Sequence, residues 1–286
     1  MERSEQSRYQ IYRSVIARVL NDQEHLPSLP AITLKIRHAI NDNNTTVEKL
    51  ALLIGSDPSL SALLMKSVSS PLYRTLESPN TLQSVISIMG FAAVNNVVMA
   101  HSVNSLFVFR KPALKTLFNM TRQRQVVKGS MSGFLAKKLQ YQPTDEALMV
   151  SLLSEVGTLA LLSAFRDYPD VPDKQTYLRL CRDYSKSLGI ILLTKWGVDE
   201  KLIDAVKYCG RWEQGSEGPL SLLDIINLAL YHTIKATSPN ATLPDLKELA
   251  AYSKLKPPNN FLSPSGQLML VTENLDEIKS MIKSMQ

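Results

Sequence analysis

Cys181 and Cys209 are the only cysteines in a chain of 286 residues. Two thiols make no disulfide scaffold, so an apolar core must hold the fold, and a reducing cytoplasm suits them. The four histidines, His25, His38, His101 and His232, have no second histidine three or four positions away and no aspartate after them. That pattern lacks the spacing of a helical metal site, and each reads as a packing or surface histidine. The chain contains no P-loop, no dinucleotide fingerprint and no nucleophile elbow. No apolar run approaches the roughly 18 residues of a membrane span. The opening MERSEQSRYQ has no apolar h-region. The expectation is a cytoplasmic protein with no membrane association and no cofactor.

Acidic residues are missing from one long segment. Between Ser78 and Thr144 there is no Asp or Glu, while Arg110, Lys111, Lys115, Arg122, Arg124, Lys128, Lys137 and Lys138 all fall there. Elsewhere 24 basic residues face 26 acidic ones, so the net charge of +6 belongs to this segment. Its bases read as a solvated cationic face. The functional alternative is an anion-binding surface made of Arg110, Lys111, Lys115, Arg122, Arg124 and Lys128, for an acidic partner protein or a phosphorylated ligand. Arg124 and Lys128 are an i,i+4 pair that repel unless something neutralises them. Double-stranded DNA is disfavoured, because neither a helix-turn-helix signal nor an aromatic platform accompanies the bases.

What is present is almost entirely helical periodicity. Tyr12, Val15, Ile16, Val19 and Leu20 mark an amphipathic helix that ends near Asn21-Asp22. Leu26-Pro27-Ser28-Leu29-Pro30 is a rigid extended lead-in, and Pro30 opens a helix through Ile32, Ile36 and Ile40. Thr45 and Glu48 have capping-box spacing, and Gly55 ends that helix. Asp57 caps the next, with Pro58 at its first position and Ser69-Ser70-Pro71 as its end. Thr81 caps a short helix closed by Gly90, and a longer apolar helix runs from Phe91 to about Phe109. Two helices, Pro112–Thr121 and Arg122–Leu139, carry the bases.

Beyond the loop Asp167–Asp173 the spacing predicts helices over Lys174–Ser185, Leu188–Trp196, Asp199–Tyr208 and Leu220–Ile234. Prolines loosen the chain after Thr237, with one short helix near Leu246–Tyr252. A last helix sets Leu268, Val271, Leu275, Ile278, Ile282 and Met285 at alternating spacings of three and four. It is too short for a free coiled coil and reads as docking onto its own body, with a homodimer seam as the alternative. No segment alternates like a strand. The fold class is all-α, with residues 1–236 as the main domain and 237–286 as a C-terminal helical extension.

The most informative stretch is Leu148–Leu162, LMVSLLSEVGTLALL. Read as one helix, it is a core element with a polar stripe of Ser151, Ser154, Glu155 and Thr158. Such a stripe reaches a solvent gap or lines a cleft. Glu155 reads as the ion-pair partner of a nearby base, or else as a cleft acid that contacts a ligand. If buried without a partner, its pKa should rise.

Several segments together resemble the HDOD domain of bacterial signalling proteins. They are LPSLPAITLKIRHAIND, VEKLALLIGSDPSLSALLMKSVSSPLY and TLQSVISIMGFAAVNNVVMA, with Leu29-Pro30, the Asp57-Pro58 cap, a Ser70–Tyr73 turn, Met89-Gly90 and Asn96 as markers. SLLSEVGTLALL is similar to the Leu-Leu-His-Asp-Ile-Gly element of the related HD phosphohydrolase superfamily, and SLGIILLTKWGVDEKLIDAVKY to a later family segment. The match covers about Leu26 to Leu230. The resemblance implies a multi-helix HD-like bundle with an N-terminal helical subdomain.

It also implies where metals would sit in a working HD enzyme, whose His and Asp ligands hold ions that activate water. At those positions this chain has Gly129, Ser154, Glu155, Cys209, Gly210 and Leu230. Only Glu155 and Cys209 could ligate, so the resemblance implies a degenerate metal site, with no catalytic residue and no metal. The function it implies is a non-catalytic regulatory module that binds a signalling protein or a nucleotide second messenger. The alternative is a metal-dependent phosphohydrolase acting on a nucleotide or phosphodiester.

Overall fold

A computed structural model describes residues 2–21, 26–69, 73, 79–215, 217–238 and 240–285, without the side chains of 2–8, 18, 19, 21, 104 and 284. His25 and, apart from Tyr73, the turn expected at Ser70–Tyr73 lie outside the described residues. The all-α expectation holds: among the described residues there are helices and a single isolated bridge, Leu262 to Leu268, but no strand.

The chain builds two apolar cores. The smaller gathers Ile36 from α2 (Ala31–Asn41), Leu50 and Ile54 from α3 (Val47–Gly55), Leu60 and Leu64 from α4 (Pro58–Val68), and Val85, Val94 and Val98 from α5 (Leu82–Leu106). Local signals set these elements. Asp57 accepts the amides of Ser59 and Leu60, and Pro58 follows at the first helical position, as expected. At Gly90 the backbone takes φ 77° and ψ 160°, which breaks α5 where the sequence placed a stop. The cap of α3 is Thr46, which accepts from Lys49 N, and not Thr45, whose own amide is bonded to Asp42 O. The apolar helix after Gly90 stops at Leu106, short of Phe109.

The larger core is built from α1 (Glu2–Asn21), α6 (Pro112–Lys138), α7 (Thr144–Leu153), α8 (Val156–Ala164), α9 (Lys174–Leu180), α10 (Lys186–Lys195), α11 (Glu200–Tyr208) and α12 (Leu222–Thr237). The two basic helices are one. No proline or glycine falls between Ala113 and Lys128, and the buried face runs unbroken through Leu114, Leu117, Thr121, Gln125 and Lys128. Likewise α9 and α10 are joined by a π-helical segment, Cys181–Ser185, and do not form separate helices. Conversely, Leu148–Leu162 is not one helix: it breaks at Ser154 and Glu155. Ser221 and Asp224 make a full capping box on α12.

Two stretches, Leu82–Val103 and Thr144–Ala164, are long and apolar enough to cross a membrane by length and composition, contrary to the sequence expectation. Each is interrupted, at Gly90 and at Ser154–Glu155, and the second is mostly buried within the protein.

The C-terminal segment adds α13 (Ala250–Ser253), α14 (Met269–Thr272) and α15 (Leu275–Met285). The expected single helix from Leu268 is therefore two, separated at Glu273–Asn274. Helix α15 lies on α6. Ile278 and Met281 are buried, Leu275 is exposed, and Lys138 pairs with Glu277 at 2.9 Å.

Candidate functional site

The site forms where α6 passes the α7–α8 break and the end of α11. At the break, Ser154 ends α7 and Glu155 leaves helical geometry, with φ −96° and ψ 0°. Two contacts hold it open. Ser154 Oγ donates to Ser151 O at 2.7 Å, and buried Gln125 Nε2 donates to Leu152 O at 2.6 Å. Such contacts satisfy the carbonyls that a helix end leaves without intrahelical partners.

Lys128 reaches into this junction. Its Nζ donates to Ser154 Oγ at 2.6 Å and to Cys209 Sγ at 3.4 Å, and the residue is only 2% exposed. On the other side Arg124 Nη2 donates to Glu155 Oε2 at 2.6 Å, and Thr158 Oγ1 donates to the same oxygen at 3.3 Å. Glu155 is 4% exposed. Burial by itself would raise its pKa, but the charges of Arg124 and Lys128 outweigh that and hold the carboxyl below its ordinary range. The ion-pair reading of Glu155 is the one the geometry bears out. Arg124 is itself held above its usual value, chiefly by Glu155.

The remaining positions scatter. Gly129 faces Leu152 and Met285: a Cβ there would lie 2.8 Å from Leu152 Cδ2 and 3.5 Å from Met285 Cε. Gly210 donates its amide to Asn227 Oδ1 at 2.8 Å, and its face meets Leu230. The structure thus joins Ser154, Glu155 and Cys209 through two α6 cations and leaves Gly129, Gly210 and Leu230 to packing. Sequence reasoning missed Lys186. Its Nζ donates to Cys209 O at 3.0 Å, and burial lowers its pKa. The available signal was a lysine leading into the apolar run Leu188–Leu193.

The bases do not make one surface. Lys128 is interior, Arg124 is engaged by Glu155, and half-buried Lys111 donates to the Tyr168 carbonyl. Arg110, Lys115 and Arg122 are exposed, and Arg122 lines a cavity with His101, Asn96 and Asp145.

A divalent metal does not fit this arrangement. Such an ion needs several anionic or neutral donors around one point. The Glu155 carboxylate is turned to Arg124, and an ammonium sits between Ser154 and Cys209. Among the described residues no three His, Cys, Asp or Glu gather.

The HDOD domain family matches residues 26–211, well over half of the chain. The chain belongs to the HDOD family. Solved structures agree in fold. A Shewanella amazonensis SB2B protein, described as a candidate metal-dependent phosphohydrolase, superposes with a TM-score of 0.78 at 18% identity, over 97% of this chain and 98% of that one. An HDOD domain protein of unknown function from Geobacter sulfurreducens gives 0.64 at 16%, over 98% and 97%. A candidate signal transduction protein from Marinobacter aquaeolei VT8 gives 0.58 at 17%, over 97% of this chain and 66% of that one. Comparison with curated proteins finds no match. At these identities the likeness establishes an HD-like helical fold for this HDOD chain and leaves its chemistry to its own residues.

Proposed function

We propose that this HDOD protein is a non-catalytic, cytoplasmic regulatory module that acts by binding a signalling partner or a nucleotide second messenger. One observation carries this reading: Lys128 places a buried ammonium between Ser154 and Cys209, two positions that the family resemblance aligns with HD metal ligands. A fixed side-chain cation can neutralise Glu155 and tie α6 to α7 and α11. It offers no exchangeable water to activate, which is what metal-dependent hydrolysis requires. Exposed Arg110, Lys115 and Arg122 are the bases left to meet an acidic partner.

The test is an assay of purified protein with Mg²⁺, Mn²⁺, Fe²⁺ or Zn²⁺ on bis(4-nitrophenyl) phosphate and on nucleotides. No turnover above background is expected. Metal-dependent turnover that disappears in Glu155→Ala would establish the enzymatic alternative. Once a partner is captured, its binding should weaken steeply with salt and on charge reversal of Lys115 and Arg122. Salt-insensitive binding would remove the cationic surface from the reading.

A further inference from the structure

Beyond the Arg124–Glu155 pair lies a cavity of about 420 Å³, walled by α6, α8, α9 with the start of the π-helical segment, and the end of α12. Its size falls within the roughly 300–1,000 Å³ range of small-molecule sites. Two cations line it, Arg124 and Lys174, and no acidic residue does. Besides these, exposed Gln123, Thr237 and Ser238 offer polar groups to it, while Thr121, Thr158 and Tyr177 form a buried part of the wall.

Arg124 is suited to hold a ligand. Glu155 anchors it through Nη2, so its position is fixed without a ligand, yet 40% of its side-chain surface remains exposed. A pre-positioned guanidinium presents a fork that matches a phosphate or carboxylate, and little rotamer freedom is lost on binding. Thr121 and Tyr177 are locked together by a 2.9 Å hydroxyl contact, and the Tyr177 hydroxyl also donates to Thr158 O at 3.5 Å. These buried contacts stiffen the wall behind Arg124. Lys174 is exposed at the rim and can meet an incoming anion.

We infer that this cavity binds a small sugar phosphate, the chemistry shared by free pentose phosphates and mononucleotides. The phosphate meets Arg124 and Lys174, and the sugar hydroxyls meet exposed Gln123, Thr237 and Ser238. The inference rests on the binding-module reading and gives that module a ligand.

The full chain should be titrated calorimetrically with ribose 5-phosphate, AMP, inorganic phosphate and ribose. We expect saturable binding of ribose 5-phosphate or AMP, at least about tenfold tighter than inorganic phosphate, and none of ribose. The tighter of the two organic probes identifies the source. Lys174→Glu changes an exposed side chain, should fold normally, and should weaken binding by about tenfold or more. Arg124→Lys keeps the charge but loses the fork, and should weaken it similarly. No saturable binding of either organic phosphate up to about 10 mM, or binding unchanged in Lys174→Glu, would overturn the site. Failure here leaves the absence of turnover untouched, whereas turnover with metal would defeat the non-catalytic reading and leave any measured binding standing.

Discussion

At the scale of single residues, Gly157 is the most closely packed of the described glycines. A Cβ built on it would lie 1.7 Å from Ser185 O and 2.5 Å from Gly189 N. Both are backbone atoms of the continuous π-segment and α10, so neither can swing aside. Gly157→Ala must separate α8 from α10, at a cost of about 3 kcal/mol. A Cβ on Gly189 would meet nothing nearer than 3.4 Å. Gly189→Ala gains helix propensity and should stay within about 1 kcal/mol of the parent. Urea denaturation of the two variants measures the difference, and equal losses would remove the backbone-contact argument.

His232 gives a pH dependence. It is fully buried, and burial pushes its pKa down to about 4 against the opposing hydrogen bond to Gln267. The unfolded chain then takes up the proton near pH 6.5 and the folded chain only near 4. The contribution is complete above pH 6.5 and falls by roughly 3 kcal/mol as pH drops to 4. His232→Asn should flatten that slope in urea melts across the window. The Glu155 carboxyl, held low, adds its own loss only below its unfolded value of about 4.5. Among these groups the local ones were legible in sequence: Asp57-Pro58 and Gly90 act on their own neighbours. Lys128 was not. Its i,i+4 relation to Arg124 was visible, but Ser154 and Cys209 lie 26 and 81 positions away, and only tertiary packing turns the ammonium inward.

At the scale of elements, apolar spacing located most helices, and failures came where tertiary contacts outvote local signals. The sequence reading split the basic segment at Arg122, but with no breaker residue there α6 continues. The polar stripe of Ser151–Thr158 suggested one amphipathic helix, yet Gln125 captures the Leu152 carbonyl and the helix breaks there. The heptad-like C-terminal pattern foretold an apolar docking face but missed Met281, which is 1% exposed, and included Leu275, which is 48% exposed. Burial at Ile278 and Met281 therefore holds α15, more than its ion pair does. Met281→Ala should cost about 2 kcal/mol and speed hydrogen exchange in α15. Lys138→Ala, which removes the partly exposed pair to Glu277, should cost under about 1 kcal/mol. The reverse ranking would mean that charge, not burial, fastens the helix.

At the scale of the whole molecule, the question is whether two cores make one cooperative unit. Helix α5 enters both: Val94 and Val98 belong to the smaller core, Met99 and Val103 to the larger. Buried Thr33 and Ser102 share a hydroxyl contact at 2.5 Å, and Arg37 donates to the carbonyls of Trp196 at 2.5 Å and Gly197 at 2.8 Å. The smaller core cannot melt without exposing half of α5 and unseating Arg37. Both tryptophans, Trp196 and Trp212, report on the larger core, whereas far-ultraviolet circular dichroism reports on all helices. The two probes should therefore follow a single denaturation curve. Arg37→Ala removes two charge-assisted bonds and should lower stability by about 2–3 kcal/mol. If α5 is the main coupling, both probes shift together in that variant. If Arg37 is, the dichroism transition moves ahead of the fluorescence one, because the smaller core then unfolds first.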